Sequence, residues 1–154
     1  MNDLITQLCI LILVIFTIII IYCCRTKSNM KEYDKLKQIQ NSLKLNGDWN
    51  GEITEQRLIM NHLKPNSKVL ELGGNIGRSS LIAASILSDD KNLVVIEPNK
   101  KIAYQLIKNR DINNFTFNIV IGVISNNPQV MKIEENHEAS YTLPYDNTED
   151  NMEE

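Results

Sequence analysis

Apolar residues run almost unbroken from Leu8 to Cys24, with Thr17 and Tyr22 as the only polar interruptions and no charge. Extended back to Leu4, the run makes a helix roughly 30 Å long at about 1.5 Å per residue, enough to span a bilayer. A transmembrane helix is therefore expected over 8–24, behind a short segment 1–7. Beyond it the period changes. Met30, Tyr33, Leu36, Ile39 and Leu43 recur every three or four positions, which predicts an amphipathic helix within a juxtamembrane stretch 25–50. That helix packs on the following domain, lies on anionic headgroups or pairs as a stalk. Asn46-Gly47 and Asn50-Gly51 mark turns, so a globular domain is expected over 51–145. The acidic end, 146–154, reads as a solvated disordered tail.

Within the domain, helical and strand patterns alternate. A helix is expected over Glu55–Leu63, capped by Thr54 and apolar at Leu58, Ile59 and Leu63, with Pro65-Asn66 turning into a strand at Val69–Leu72. Residues 79–87 read as a helix with Leu81, Ile82, Ala84, Ser85 and Ile86 over a sheet. Leu93–Ile96 is a continuous β-branched run, as in a parallel strand buried on both faces, and Pro98 ends it. Lys100–Arg110 follows as a helix burying Ile102, Ala103, Leu106 and Ile107, and Phe115–Ile124 as a third strand with Gly122 at a bulge or close approach. Met131–Ile133 reads as a short edge strand after the Asn126-Asn127-Pro128 turn. Such alternation implies an α/β domain on a doubly wound parallel sheet.

Charge and cysteines refine this picture. Arg25, Lys27 and Lys31 follow the apolar run while Asp3 alone precedes it, which puts the domain in the cytoplasm and argues against a cleaved signal peptide. All three cysteines, Cys9, Cys23 and Cys24, belong to the membrane segment, so the domain has no disulfide framework. Cys23 and Cys24 read first as ordinary helix residues and second as palmitate acceptors. A net charge of -3 without a clustered basic surface argues against nucleic acid as a main partner. The Asn114-Phe115-Thr116 sequon is read as chance in a cytoplasmic domain. His62 and His137, the only histidines, lack further ligands at useful spacing, so no metal site is expected.

The chemistry concentrates between Lys68 and Pro98. Gly73, Gly74 and Gly77 follow the first strand and let the backbone turn against a ligand, and a helix starting near Ile76 or Gly77 aims free N–H groups at it. Glu97 ends the second strand. Ligands of doubly wound sheets lie beyond the C-terminal strand ends, so Gly73, Gly77 and Glu97 converge on one crevice where a carboxylate can accept ribose hydroxyls. The dinucleotide fingerprint G-x-G-x-x-G requires glycine where Asn75 stands, which argues against a nicotinamide-dependent oxidoreductase.

These motifs resemble the class I S-adenosylmethionine-dependent methyltransferases, and most closely the FkbM-type branch. The branch has an acid before a loose glycine loop containing Asn, similar to Glu71 followed by Gly74-Asn75-Ile76-Gly77, and a second strand ending Glu-Pro-Asn, similar to Glu97-Pro98-Asn99. Asn109 to Asn114 and the strand Asn118 to Ser125 are also similar, and the likeness covers about residues 54–143. It implies a partial class I methyltransferase fold, Rossmann-like, behind a single N-terminal transmembrane helix. It implies S-adenosylmethionine as cofactor, with Glu71, Gly73, Gly74 and Gly77 shaping the pocket for its methionine part and Asn75 lining it. By the same resemblance Glu97 holds the ribose hydroxyls and Asn99 neighbours the adenine. The reaction implied is in-line transfer of the sulfonium methyl to a hydroxyl of a sugar, glycan or other small molecule, with positioning as the main source of rate and a base still unassigned.

One departure shapes the expectation. Family members continue past the third strand with strands and an acidic segment on the acceptor side, whereas here the sequence passes after Tyr145 into DNTEDNMEE. The domain is accordingly expected to be the cofactor-binding half of the fold, truncated or natively short. Its incomplete sheet exposes apolar surface that a homo- or hetero-oligomeric partner, or the membrane, would cover. The competing expectation is a non-catalytic membrane-tethered interaction module.

Overall fold

The computed structural model describes residues 2–126, 129–133 and 140–144, with side chains at residue 7 and residues 10–126. The chain divides into two compact units, Met1–Gln38 and Ile39–Glu154.

The first unit is helix throughout its described length. Helix α1, Asn2–Ser42, runs 41 residues and its last turn belongs to the second unit. It holds no Gly or Pro, so nothing interrupts its hydrogen-bond ladder where the apolar run gives way to polar sequence. From Ile10 onward it is long and apolar enough to cross a membrane, and its apolar window is not buried in the protein. Thr17 and Thr26 turn their hydroxyls back to the Val14 and Cys23 carbonyls at 2.7 and 2.9 Å, so neither leaves an unmatched donor on an apolar surface.

The second unit is mixed α/β. Helix α2 (Ile53–His62) leads to strand β1 (Val69–Leu72), helix α3 (Arg78–Ile86), strand β2 (Leu93–Glu97), helix α4 (Lys100–Ile112) and strand β3 (Asn118–Ile121). The three strands form a parallel sheet in the order β1-β2-β3. Their register pairs Leu72 with Ile96 and Ile96 with Val120, so these residues share one face, while Val69, Glu71, Leu93, Val95 and Ile119 share the other. Helices α3 and α4 pack on β2, and α4 also on β3. The core lies on the helix-covered face, where Leu81, Leu93, Val95, Leu106 and Phe117 are fully buried. Fully burying a side chain of this size is worth about 1.5–3 kcal/mol. The opposite face is open: Leu70 and Leu72 are exposed by 57% and 63%, and Val120 by 47%.

Several local expectations change in the structure. Helix α2 begins at Ile53, and Glu52 rather than Thr54 is its N-cap residue, in a left-handed conformation without a side-chain cap. Its buried residues are Gln56 and Met60, while Leu58 is exposed. Gln56 tolerates burial because Gln40 donates to its Oε1 at 2.7 Å and its own Nε2 donates to the Gly51 carbonyl at 2.7 Å. In α3 the covered positions are Arg78–Ala84, with Ser85 exposed and Ile86 half-buried. The β3 strand is shorter than the apolar run that encodes it, and Gly122 follows it. Strand β4 (Gln129–Ile133) does not extend the parallel sheet; it pairs antiparallel with β5 (Ser140–Pro144) in a separate hairpin. Asn127, Pro128 and the acidic tail lie outside the described residues.

Candidate functional site

The sequence between β1 and α3 is a turn that only small residues permit. Gly73 and Gly74 donate to the Ile96 carbonyl at 2.8 and 3.2 Å, pinning the turn to the end of β2. A Cβ on Gly74 would lie 2.2 Å from the Val95 side chain and 2.9 Å from that of Leu106, so the backbone's approach to the core excludes any larger residue. Gly77 starts α3 at φ 98°, a left-handed conformation that costs other L-residues about 1–2 kcal/mol. Asn75 is held at φ 47°, and its own Oδ1 accepts from the Ile76 N–H at 2.8 Å.

Glu97 locks the turn from the neighbouring strand. Its buried carboxylate accepts from the Asn75 N–H at Oε2 (2.8 Å) and from the Asn99 N–H at Oε1 (2.9 Å). Asn99 in turn caps α4, its Oδ1 accepting from the Lys101 and Ile102 N–H groups. A carboxylate has about four lone-pair directions, so Glu97 keeps capacity for a ligand hydroxyl after its two backbone bonds.

Glu71 lies on the helix-covered face of β1. Burial raises its pKa to about 7, the Ser80 hydroxyl partly lowering it and the nearby Glu52 carboxylate adding to the rise. The Ser80 hydroxyl is the donor beside it, and Ser80 Oγ and Glu71 Oε2 are both buried with no other hydrogen-bond partner.

These groups open on a cleft of about 700 Å3 between α2 and the C-terminal ends of β1 and β2. It is lined by the apolar Leu58, Leu63, Leu70 and Leu72 and by the acidic Glu52, Glu55, Glu71 and Glu97, together with Asn75 and Ser79. No Lys, Arg or His lines it among the described residues. The structure thus brings Glu71, Gly73, Asn75 and Glu97 to one cavity. It sets Gly74 and Gly77 behind it as packing positions, and Asn99 beside it as a helix cap.

Sequence reasoning missed the segment preceding α2. Arg78 is buried; its Nε donates to the Asp48 carbonyl at 2.7 Å and its guanidinium lies 3.6 Å from the carboxylates of Asp48 and Glu52. Fully buried Asn109 joins that segment to the glycine turn, accepting from the Asn46 N–H at 2.8 Å and donating to the Ile76 carbonyl at 2.8 Å. An arginine directly after the last glycine of the turn was the one sequence signal that an acidic partner had to be near.

Comparison with protein-family models, curated proteins and solved structures finds no match.

Proposed function

We propose that this chain is a membrane-anchored, S-adenosylmethionine-dependent methyltransferase of FkbM type that methylates a hydroxyl of a sugar or other small molecule. The observation that carries this reading is the charge of the cleft at the C-terminal ends of parallel strands: four carboxylates line it and, among the described residues, no Lys, Arg or His does, Arg78 lying behind it paired with Glu52. Phosphate-bearing cofactors are disfavoured in such a field, whereas a ligand whose sulfonium and ammonium outweigh its one carboxylate, and which carries ribose hydroxyls, matches it better. Glu97 would hold the ribose hydroxyls, Glu71 and Asn75 the methionine end, and the Leu70–Leu72 wall would shield apolar parts of the ligand. When bound, the cofactor supplies an electrophilic methyl group. The chain's own residues bind and orient: the Glu97 bridge fixes the turn, and Glu71 takes up or releases a proton near neutrality. The β1-β2-β3 order of the parallel sheet, with helices packed on β2, supports the partial Rossmann-like topology of this reading without being specific to it. Replacing Glu97 with Ala should weaken S-adenosylmethionine binding by about tenfold or more in calorimetric titration, a charge-assisted hydrogen bond being worth roughly 1.5–3 kcal/mol. Unchanged affinity would remove the ribose assignment.

The membrane part of the proposal is a single pass with the second unit in the cytoplasm, supported by Arg25, Lys27 and Lys31 on the C-terminal side of the apolar run. A C-terminal tag should survive protease applied to intact cells; digestion would reverse the topology.

A second reading, a tethered interaction module without catalysis, is favoured by the open apolar face of Leu70, Leu72 and Val120. A patch of this kind ordinarily marks a contact surface, here for a partner that completes the sheet.

A further inference from the structure

Residues 43–52 form a strap between α1 and α2 that is bonded along helix α4. Asn113 brackets Lys44, accepting its N–H at 2.8 Å and donating to its carbonyl at 2.7 Å. Asn109 accepts from the Asn46 N–H at 2.8 Å, and Gln105 donates to the Asn46 carbonyl at 2.9 Å. Strap and helix together leave a hollow of about 460 Å3, lined by Asn46, Lys101, Tyr104, Gln105 and Lys108.

The helical period makes this side of α4 basic. Ala103, Leu106 and Asn109 turn into the protein, so Lys101, Tyr104 and Lys108, spaced by three and four positions, share the outward side with Lys100, and all four are exposed. The strap adds exposed Lys44 beside the last turn. Among the described residues none of these four lysines pairs with a carboxylate. Asp111, the one acid of α4, accepts from Arg110 at 2.8 Å, Asp48 of the strap lies against Arg78, and no acid lines the hollow.

Helix stability does not call for this arrangement. Lys100 and Lys101 occupy the first turn of α4, where the free N–H groups carry partial positive charge and a carboxylate is the favoured neighbour, yet no acid stands there. Lys100 lies over the Tyr104 ring, 6.0 Å from its centroid, and the ring keeps 51% of its surface exposed. On a chain of net charge -3, four unpaired lysines around an aromatic ring with a polar tip complement an anionic surface.

Resting on the single-pass reading, we infer that the outward side of α4, with Lys44 of the strap, docks on anionic phospholipid headgroups of the leaflet that anchors the chain, the hollow between Lys101 and Lys108 receiving a headgroup phosphate. Continuity with a membrane-spanning helix keeps these lysines at high local concentration near lipid, so contacts too few for stable binding in free solution suffice here. Tyr104, apolar in body and polar at its tip, suits the headgroup level.

The test is lysine footprinting of the full-length chain in lipid nanodiscs, with a membrane-impermeant amine-reactive reagent and mass spectrometry, comparing phosphatidylcholine alone with phosphatidylcholine containing phosphatidylserine. At low salt, modification of Lys44, Lys100, Lys101 and Lys108 should fall about fivefold in the anionic discs, the scale of one lysine's attraction to such a leaflet. Exposed Lys64 and Lys91 should keep their rates, and high salt should erase the difference. Lys101→Glu combined with Lys108→Glu, at exposed side chains without a partner, should abolish protection at Lys44 and Lys100, whereas Lys64→Glu combined with Lys91→Glu should leave it intact. Equal modification of the patch in both discs would overturn the inference, and so would equal loss of protection in both double variants. Protection produced only by added duplex DNA or inorganic phosphate would also overturn it, assigning the patch to nucleic acid or to a free anion. A chain that alkaline carbonate strips from vesicles would overturn the anchor reading beneath it, which separates the two failures.

Discussion

Glu71 is a carboxylate carried into the helix-covered face of a sheet, and the cost of that placement depends on pH. Its pKa rises from 4.5 to about 7 in the folded chain, chiefly through burial. Between those values the folded state holds a proton that the unfolded chain has released, so stability falls as pH rises from about 4.5 to about 7 and is flat above that. The loss is at most a few kcal/mol, each pKa unit being worth about 1.4 kcal/mol. Urea unfolding followed by the fluorescence of Trp49, the only tryptophan, should show this slope in the wild type and a flattened one in Glu71→Gln. An identical slope in both would assign the pH dependence elsewhere. At this scale the sequence was readable where geometry forces a residue type. Gly74 against Val95 and Leu106, and Gly77 at positive φ, leave no alternative. Glu52 was not readable, because nothing in Asn50-Gly51-Glu52-Ile53 distinguishes a surface acid from one folded over a cleft.

At the scale of elements, β1, β2, α3 and α4 follow from apolar runs and helical periods that local physics writes directly into the chain. Asn99 caps α4 at the boundary that Pro98 marks. The strap had no such signature. Its bonds join residues 63 and 69 positions apart through buried Asn109 and half-buried Asn113, polar side chains whose role no hydrophobic pattern encodes. Gln56 illustrates the same blindness in α2: a polar residue takes the buried position expected of Leu58, because Gln40 and Gly51 satisfy its amide. The continuity of α1 escaped a reading that separated membrane helix from amphipathic helix, since a change of hydrophobic pattern is no helix break without Gly or Pro.

At the scale of the molecule, a long apolar helix and an α/β unit with a glycine-turn cleft are joined by a strap whose last residue lines that cleft. Leu70 and Leu72 belong both to the open sheet face and to the cleft, so the two proposed readings, a small-molecule site and a macromolecular contact, compete for the same residues. Under the proposed function, the charge of the cleft is what selects its small molecule. The most direct measurement is therefore titration of S-adenosylmethionine and, separately, a nicotinamide dinucleotide into the full-length chain in detergent. The account expects heat and a saturable isotherm with the sulfonium ligand and none with the dinucleotide, whose phosphates meet four carboxylates. A folded chain that binds neither, or that takes the dinucleotide instead, would contradict it.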